Sequence, residues 1–341
     1  MIELRNDYGY IAHPKIINRL SELSSEINSG YGLDKHCHRA KELISSLIGK
    51  SDVSIHFLTG GTITNKIVIG YFLKSYEAVI SADTGHINVH ETGAIEQTGH
   101  KVLVIQNKDG KVTLDGIKSI LETHCDEHMV KPKMVYISNS TEYGSIYKLD
   151  ELKEISKFCH DNNLYLYLDG ARIGSALMSK ENDLSLKDIA NLCDAFYIGG
   201  TKNGALLGEA LVITNQELAC EFRYAIKNLG GMYAKSFVTG IQFEVLFEDN
   251  LFFEIAKKEN LLADFLRSEL TKINVRQYGS SSTNQVFAYF DEEQAKKIQE
   301  KINCEIFTRI DNLCVVRFVT HYLNNEEDIE LAIKYIKEIV K

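Results

Sequence analysis

A lysine stands between glycines directly after an apolar run, in Gly199-Gly200-Thr201-Lys202-Asn203-Gly204. Lone lysines mostly decorate wet surfaces, but a loop of small residues lets a bulky ring approach the backbone, which makes Lys202 a candidate nucleophile. A second apolar run, 164–168, ends in Asp169-Gly170-Ala171-Arg172. It leaves a carboxylate that needs a cationic partner, either as an N-cap paired with Arg172 or as a functional acid. Thr59-Gly60-Gly61-Thr62 precedes a helical stretch. Glycines and a hydroxyl at a helix N-terminus form an anion cradle, though a plain turn with Thr62 as N-cap fits the same residues. The spacings of nucleoside triphosphate and dinucleotide loops are missing. His86 and His90 are four apart and could share a helix face, but no third ligand follows at metal-site spacing, so no metal is expected. Glu142, in Ser138-Asn139-Ser140-Thr141-Glu142, reads equally as a buried base or a loop charge.

A phosphate cradle, a strand-end aspartate and a strand-end lysine with a ring-sized aromatic nearby together suit pyridoxal 5′-phosphate. The lysine would join the cofactor's aldehyde, the aspartate would keep the ring nitrogen protonated, and the helix N-terminus would hold the phosphate.

Such residues converge only if the elements place them at one edge. From about residue 53 to 213, short apolar runs alternate with helical stretches, the pattern of βαβ units and a mostly parallel, buried sheet. Strands are predicted at 53–58, 78–82, 102–105, 134–137, 164–168, 195–198 and 210–213. Ligands of an open parallel sheet sit outside the carboxyl ends of its strands, and each candidate above lies at such an exit. An amphipathic helix is predicted before Leu164 from Leu149, Leu152, Ile155, Phe158 and Cys159. Beyond residue 250 the pattern becomes a long helix, strands at 285–290 and 314–319, and a last helix with Asn325 as N-cap and Asp328 three residues on. The expected organisation is an α/β fold. An N-terminal arm (1–15) would cross the larger body or a neighbouring subunit, a large cofactor domain would follow (16–250), and a smaller C-terminal α+β domain would close the chain (251–341).

The 341 residues are 44% hydrophobic and carry a net charge of −9, which argues against a nucleic-acid surface and favours small molecules. No apolar run reaches membrane-spanning length, and the start lacks a signal-peptide pattern, so a cytoplasmic location is expected. Seven cysteines without a Cys-x-x-Cys pair suit a reducing compartment and read as buried small hydrophobes.

The chain resembles the threonine aldolase and β-eliminating lyase family of fold-type I pyridoxal-phosphate enzymes over nearly its whole length. The carriers are Leu4-Arg5-Asn6-Asp7, Tyr31-Gly32-Leu33-Asp34, Gly61-Thr62, His86-Ile87 with Glu91-Thr92-Gly93-Ala94, Leu168-Asp169-Gly170-Ala171-Arg172, Thr201-Lys202 and Val316-Arg317-Phe318-Val319-Thr320-His321. The resemblance implies that Lys202 holds the cofactor, Asp169 meets its ring nitrogen and His86 stacks on it, with Gly61, Thr62 and Thr201 on its phosphate. It implies Arg317 and Arg172 on the substrate carboxylate, where Asn6 stands in place of a family serine, and it puts His90 where a phenol can occur. By the same resemblance Lys235 falls near a phosphate position, and Tyr31 reaches in from a neighbouring subunit of a homodimer or homotetramer with shared sites. Glu142 stands where the family's aldolases carry a histidine. The implied activity is aldol cleavage of threonine or allo-threonine to glycine and an aldehyde, with Glu142 as first candidate base and His86 or His90 as the second. The alternatives are β-elimination or transamination on another amino acid, and a non-catalytic cofactor-binding protein on the same fold.

Overall fold

The computed structural model describes residues 1–107 and 109–340. Its first strand, β1 (Ile2–Glu3), is followed by β2 (Ser54–Leu58), β3 (Glu77–Ala82), β4 (Val102–Ile105), β5 (Lys131–Ser138), β6 (Tyr165–Asp169), β7 (Ala195–Gly199) and β8 (Glu209–Ile213). These last seven build one sheet in the order β2-β8-β7-β6-β5-β3-β4. All neighbours pair in parallel except β8, which runs antiparallel to both β2 and β7. Six strands therefore point their carboxyl ends at one edge, and β8 presents its amino end there. Helices cover both faces, so β3, β7 and β8 are buried at every position, as the near-continuous apolar runs require.

The seven predicted strands appear, with ends shifted by at most three residues, and the expected helix before Leu164 spans Leu149–Asp161. Beyond the long helix Leu251–Lys272 come β9 (Gln285–Phe290), β10 (Ile302–Asn303), β11 (Glu305–Ile310) and β12 (Leu313–Val319), then the helix Glu326–Ile339. Asn325 caps that last helix in a reciprocal pair with Asp328, as the sequence predicts. β11, β12 and β9 form an antiparallel sheet in that order.

β11 is absent from the sequence reading. A bulge between Ile306 and Thr308 breaks its period-two alternation, so the strand lacks the usual signature. In the arm, β1 pairs in parallel with β10 of its own chain. Five cysteines are buried as expected, but Cys125 and Cys220 are exposed. Among the described residues, no helix is long and apolar enough to cross a membrane.

Candidate active site

The carboxyl edge of the large sheet opens into a cleft of about 510 Å³ that the sheet of β9, β11 and β12 overhangs. Lys202, His86, His90, Glu142, Arg172 and Arg317 line it together, although they are spread from residue 86 to 317. Lys202 follows β7 in a loop held by Gly200 and Thr201 amides donating to the Gly208 carbonyl. Its amine makes no hydrogen bond or ion pair with any described residue. Burial, then the neighbouring Arg172 charge, holds its pKa below that of an ordinary lysine, which raises the share of nucleophilic free amine.

Asp169 closes β6 and is buried. Four donors converge on its carboxylate. Tyr197 OH (2.5 Å) and the Ala171 amide (3.0 Å) reach Oδ1, while Tyr136 OH (2.6 Å) and Asn65 Nδ2 (3.2 Å) reach Oδ2. Burial first, and then Asp169 itself, pushes the phenols of Tyr136 and Tyr197 well above their usual range, so both keep the proton they donate. Asn65 Nδ2 also donates to Glu91 Oε1 at 2.7 Å, and Tyr167 OH donates to Asn65 Oδ1 at 2.8 Å. His86 Nδ1 lies 2.8 Å from the same Glu91 oxygen. Burial alone would lower the His86 pKa, but the Glu91 hydrogen bond, helped by Glu142 and Asp169, raises it.

The alternative reading, in which Asp169 pairs with Arg172, is not what the structure shows. Arg172 instead grips Asp7 of the arm through Nε (2.7 Å) and Nη2 (3.1 Å), and Asn284 donates to the same carboxylate at 3.0 Å. Burial would raise the Asp7 pKa, but Arg172 and Lys202 outweigh it and hold the carboxyl below its ordinary 3.8. Arg172 Nη1 has no partner among the described residues, which leaves one donor edge toward the cleft. Glu209, at the start of β8, pairs in register with both Leu58 and Gly199 and accepts the Gly200 amide at 3.1 Å. Burial pushes its carboxyl up to about 8, beside the Lys202 loop.

The helix Gly61–Phe72 begins without any side-chain cap, and nothing lies within 4 Å of where a Cβ on Gly60 would stand. Its first amides therefore face open space at a positive helix end, which fits a phosphate. Thr62 is exposed and is not the N-cap, a position that Gly60 occupies. With the unpartnered Lys202 amine and the four-donor carboxylate of Asp169, these residues fit pyridoxal 5′-phosphate.

Seven expected site residues are not among those that line the cleft: Asp169, Gly61, Thr62 and Thr201, and also Asn6, Tyr31 and Lys235. Asn6 Oδ1 accepts the Tyr8 amide, and the neighbouring Tyr8 lines the cleft instead. Tyr31 is exposed, with the Lys227 amine 5.0 Å above its ring, in a hollow shared with Lys41 and Arg223. Lys235 is exposed and outside the cleft lining. The rings of His86 and His90 have centroids 5.6 Å apart and are tilted by 54°, and no group of three metal-binding side chains exists among the described residues. Sequence reasoning passed over Tyr136, Tyr167 and Tyr197 as core and gave Asn65, in the exit after 53–58, no role of its own. One signal was available, since each tyrosine sits two residues before the end of its strand.

The description "Beta-eliminating lyase" matches residues 13–293. Low specificity L-threonine aldolase of Pseudomonas aeruginosa is 32% identical over 258 residues, covering 74% of this chain and 73% of that protein. The same-named protein of a Pseudomonas species is 32% identical over 277 residues, covering 80% and 79%. A solved threonine aldolase of Leishmania major superposes with a TM-score of 0.98 at 42% identity, each chain covered completely. Histidinol-phosphate aminotransferase of Clostridium acetobutylicum, at 14% identity and a TM-score of 0.75, shares the fold. The match spans the strand exits that carry Lys202, Asp169 and Arg172, and this chain belongs to the beta-eliminating lyase family.

Proposed function

We propose that this protein is a pyridoxal-phosphate-dependent lyase that cleaves threonine, allo-threonine or a related β-hydroxy amino acid to glycine and an aldehyde. The observation that carries the reading is the convergence of Lys202, Arg317, Arg172 and Glu142 on one cleft beside Asp169. The threonine aldolases among its relatives support the choice of substrate.

Lys202 would hold the cofactor, Asp169 its ring nitrogen, His86 its face, and Gly61, Thr62 and Thr201 its phosphate. When bound, the cofactor accepts the electron pair released as a bond at Cα breaks. Arg317, aided by the open edge of Arg172, would clamp the substrate carboxylate and so fix which bond at Cα is presented. Glu142 Oε then takes the proton from the β-hydroxyl as the Cα–Cβ bond opens, with His86 and His90 as second candidates. Lys202, whose side chain lines the cleft, would return a proton to Cα of the departing glycine. We further propose a cytoplasmic homo-oligomer in which the exposed Tyr31 and Lys235 serve a neighbouring subunit's site.

Incubation with threonine and allo-threonine should yield glycine and acetaldehyde. Pyruvate with ammonia, or a keto acid, would overturn aldol cleavage in favour of elimination or transamination. Lys202→Ala should abolish borohydride trapping of the cofactor, and trapping at another lysine would remove Lys202 from its role.

A further inference from the structure

Arg317 does not face the cleft alone. It stands on β12 directly opposite Glu305 of β11, and its Nη2 pairs with Glu305 Oε2. Gln285 Oε1 lies 3.5 Å from Nη1, and Nε is buried without a partner. The guanidinium carbon sits 5.7 Å from the centroid of Phe307. A guanidinium offers two paired-donor edges, Nε with Nη2 and Nη1 with Nη2. Nη2 has one hydrogen for each edge, so Glu305 occupies one of the two edges on which a carboxylate could be gripped in bidentate fashion, and its charge offsets part of the guanidinium's.

The strand register itself sets Glu305 beside Arg317, and the bulge at Phe307 adds Thr308 to the same wall. Regular alternation would send adjacent residues to opposite faces, yet Glu305, Phe307 and Thr308 all line the cleft. The register passes from Ile306↔Val316 to Thr308↔Val315, which leaves Phe307 unpaired. Such a bulge re-aims side chains beside a site. Glu305 is half-exposed while Arg317 is mostly buried, so the acid can swing toward water and the arginine cannot.

We propose that Glu305 is an internal competitor for Arg317, a carboxylate built into the cleft wall that weakens the grip on the substrate carboxylate and so sets the substrate KM. The proposal rests on Arg317 being the carboxylate clamp. Glu305 leaves a weaker net positive charge for the amino acid to find, and the product glycine, held by the same carboxylate, departs more readily.

The experiment uses the holoenzyme and three variants, Glu305→Gln, Arg317→Gln and the double variant. Glycine binding is read by calorimetry, and threonine kinetics are read in parallel. Glu305→Gln should tighten glycine binding and lower the threonine KM by about two- to five-fold, the range for one partly exposed charge beside another. Its kcat should stay within about twofold, and the gain should shrink at high salt. Arg317→Gln should weaken glycine binding, and the double variant should match it. If Glu305→Gln instead weakens binding or leaves it unchanged while Arg317→Gln weakens it, Glu305 merely orients the arginine and the proposal is overturned. If Arg317→Gln itself has no effect, the clamp assignment fails, and the proposal falls with it for a different, recognisable reason.

Discussion

The tyrosines around Asp169 show how a strand that reads as core can carry site chemistry. Tyr136 and Tyr167 are partners in register on β5 and β6, and Tyr197 follows on β7. Their rings pack in the core while their hydroxyl groups reach toward the carboxyl edge, a division of labour that suits an aromatic with a polar tip. A hydrogen bond to a charged group is worth about 1.5–3 kcal/mol, and Tyr197 supplies one of four on Asp169. Tyr197→Phe should therefore weaken cofactor binding by about 10-fold, measured by titrating the apo-protein and following absorbance. Unchanged affinity would show that Asp169 needs no such support. The lysine, the aspartate and Arg172 were legible in the sequence because charge just after an apolar strand is conspicuous, whereas Arg317, inside β12, came only from the family resemblance. Tyr136, Tyr167, Tyr197 and Asn65 were not, because a phenol or amide inside an apolar run gives no sign of where its polar atom points. Nor was Asp7 as the partner of Arg172, since 165 residues separate them.

At the scale of elements, the sheet delivers its site through tight contact between adjacent strand exits. The Gly170 amide follows Asp169, and a Cβ placed on Gly170 would overlap the Tyr197 carbonyl oxygen, while one on Gly199 would overlap Ala171. The β6 and β7 exits thus interlock at a distance only glycine permits. Gly170→Ala should destabilise the fold by about 3 kcal/mol, read by urea unfolding, and a variant within 1 kcal/mol of the wild type would show that the exits can separate without harm. Alternating apolar and helical stretches made the seven strands readable, and with them the edge on which the site sits. Antiparallel β8 was readable as a strand but not in its direction, which depends on pairing rather than pattern. It is this reversal that puts Glu209 at the site edge, where a carboxyl titrating at about 8 adjoins the lysine loop. β11 escaped because its bulge removes the alternation by which half-buried strands are recognised.

For the molecule as a whole, Asp7, Arg172 and Asn284 tie the arm, the central sheet and the second sheet at one buried point. Removing one member leaves a buried cation without a counter-charge, and breaking such a pair costs about 3–5 kcal/mol. Asp7→Asn should lower stability by that amount at neutral pH, measured by chemical denaturation. The native pKa of Asp7 lies below its ordinary 3.8, so its contribution is complete above that value and is lost as pH falls through the native one. The gap between wild type and Asp7→Asn should hold from pH 7 to about 4.5 and close only in stronger acid; a gap that closes by pH 6 would overturn the assignment. The pairing of β1 with β10 also sets an order in time. Ile2 and Glu3 leave the ribosome some 300 residues before the strand that receives them, and the Val319 amide that donates to the Leu4 carbonyl comes later still. For most of synthesis β1 therefore has no strand to pair with, although Arg172, the partner of Asp7, is made midway along the chain. A nascent chain can complete the large sheet, but its cleft acquires the wall that carries Glu305 and Arg317 only when the last strands arrive.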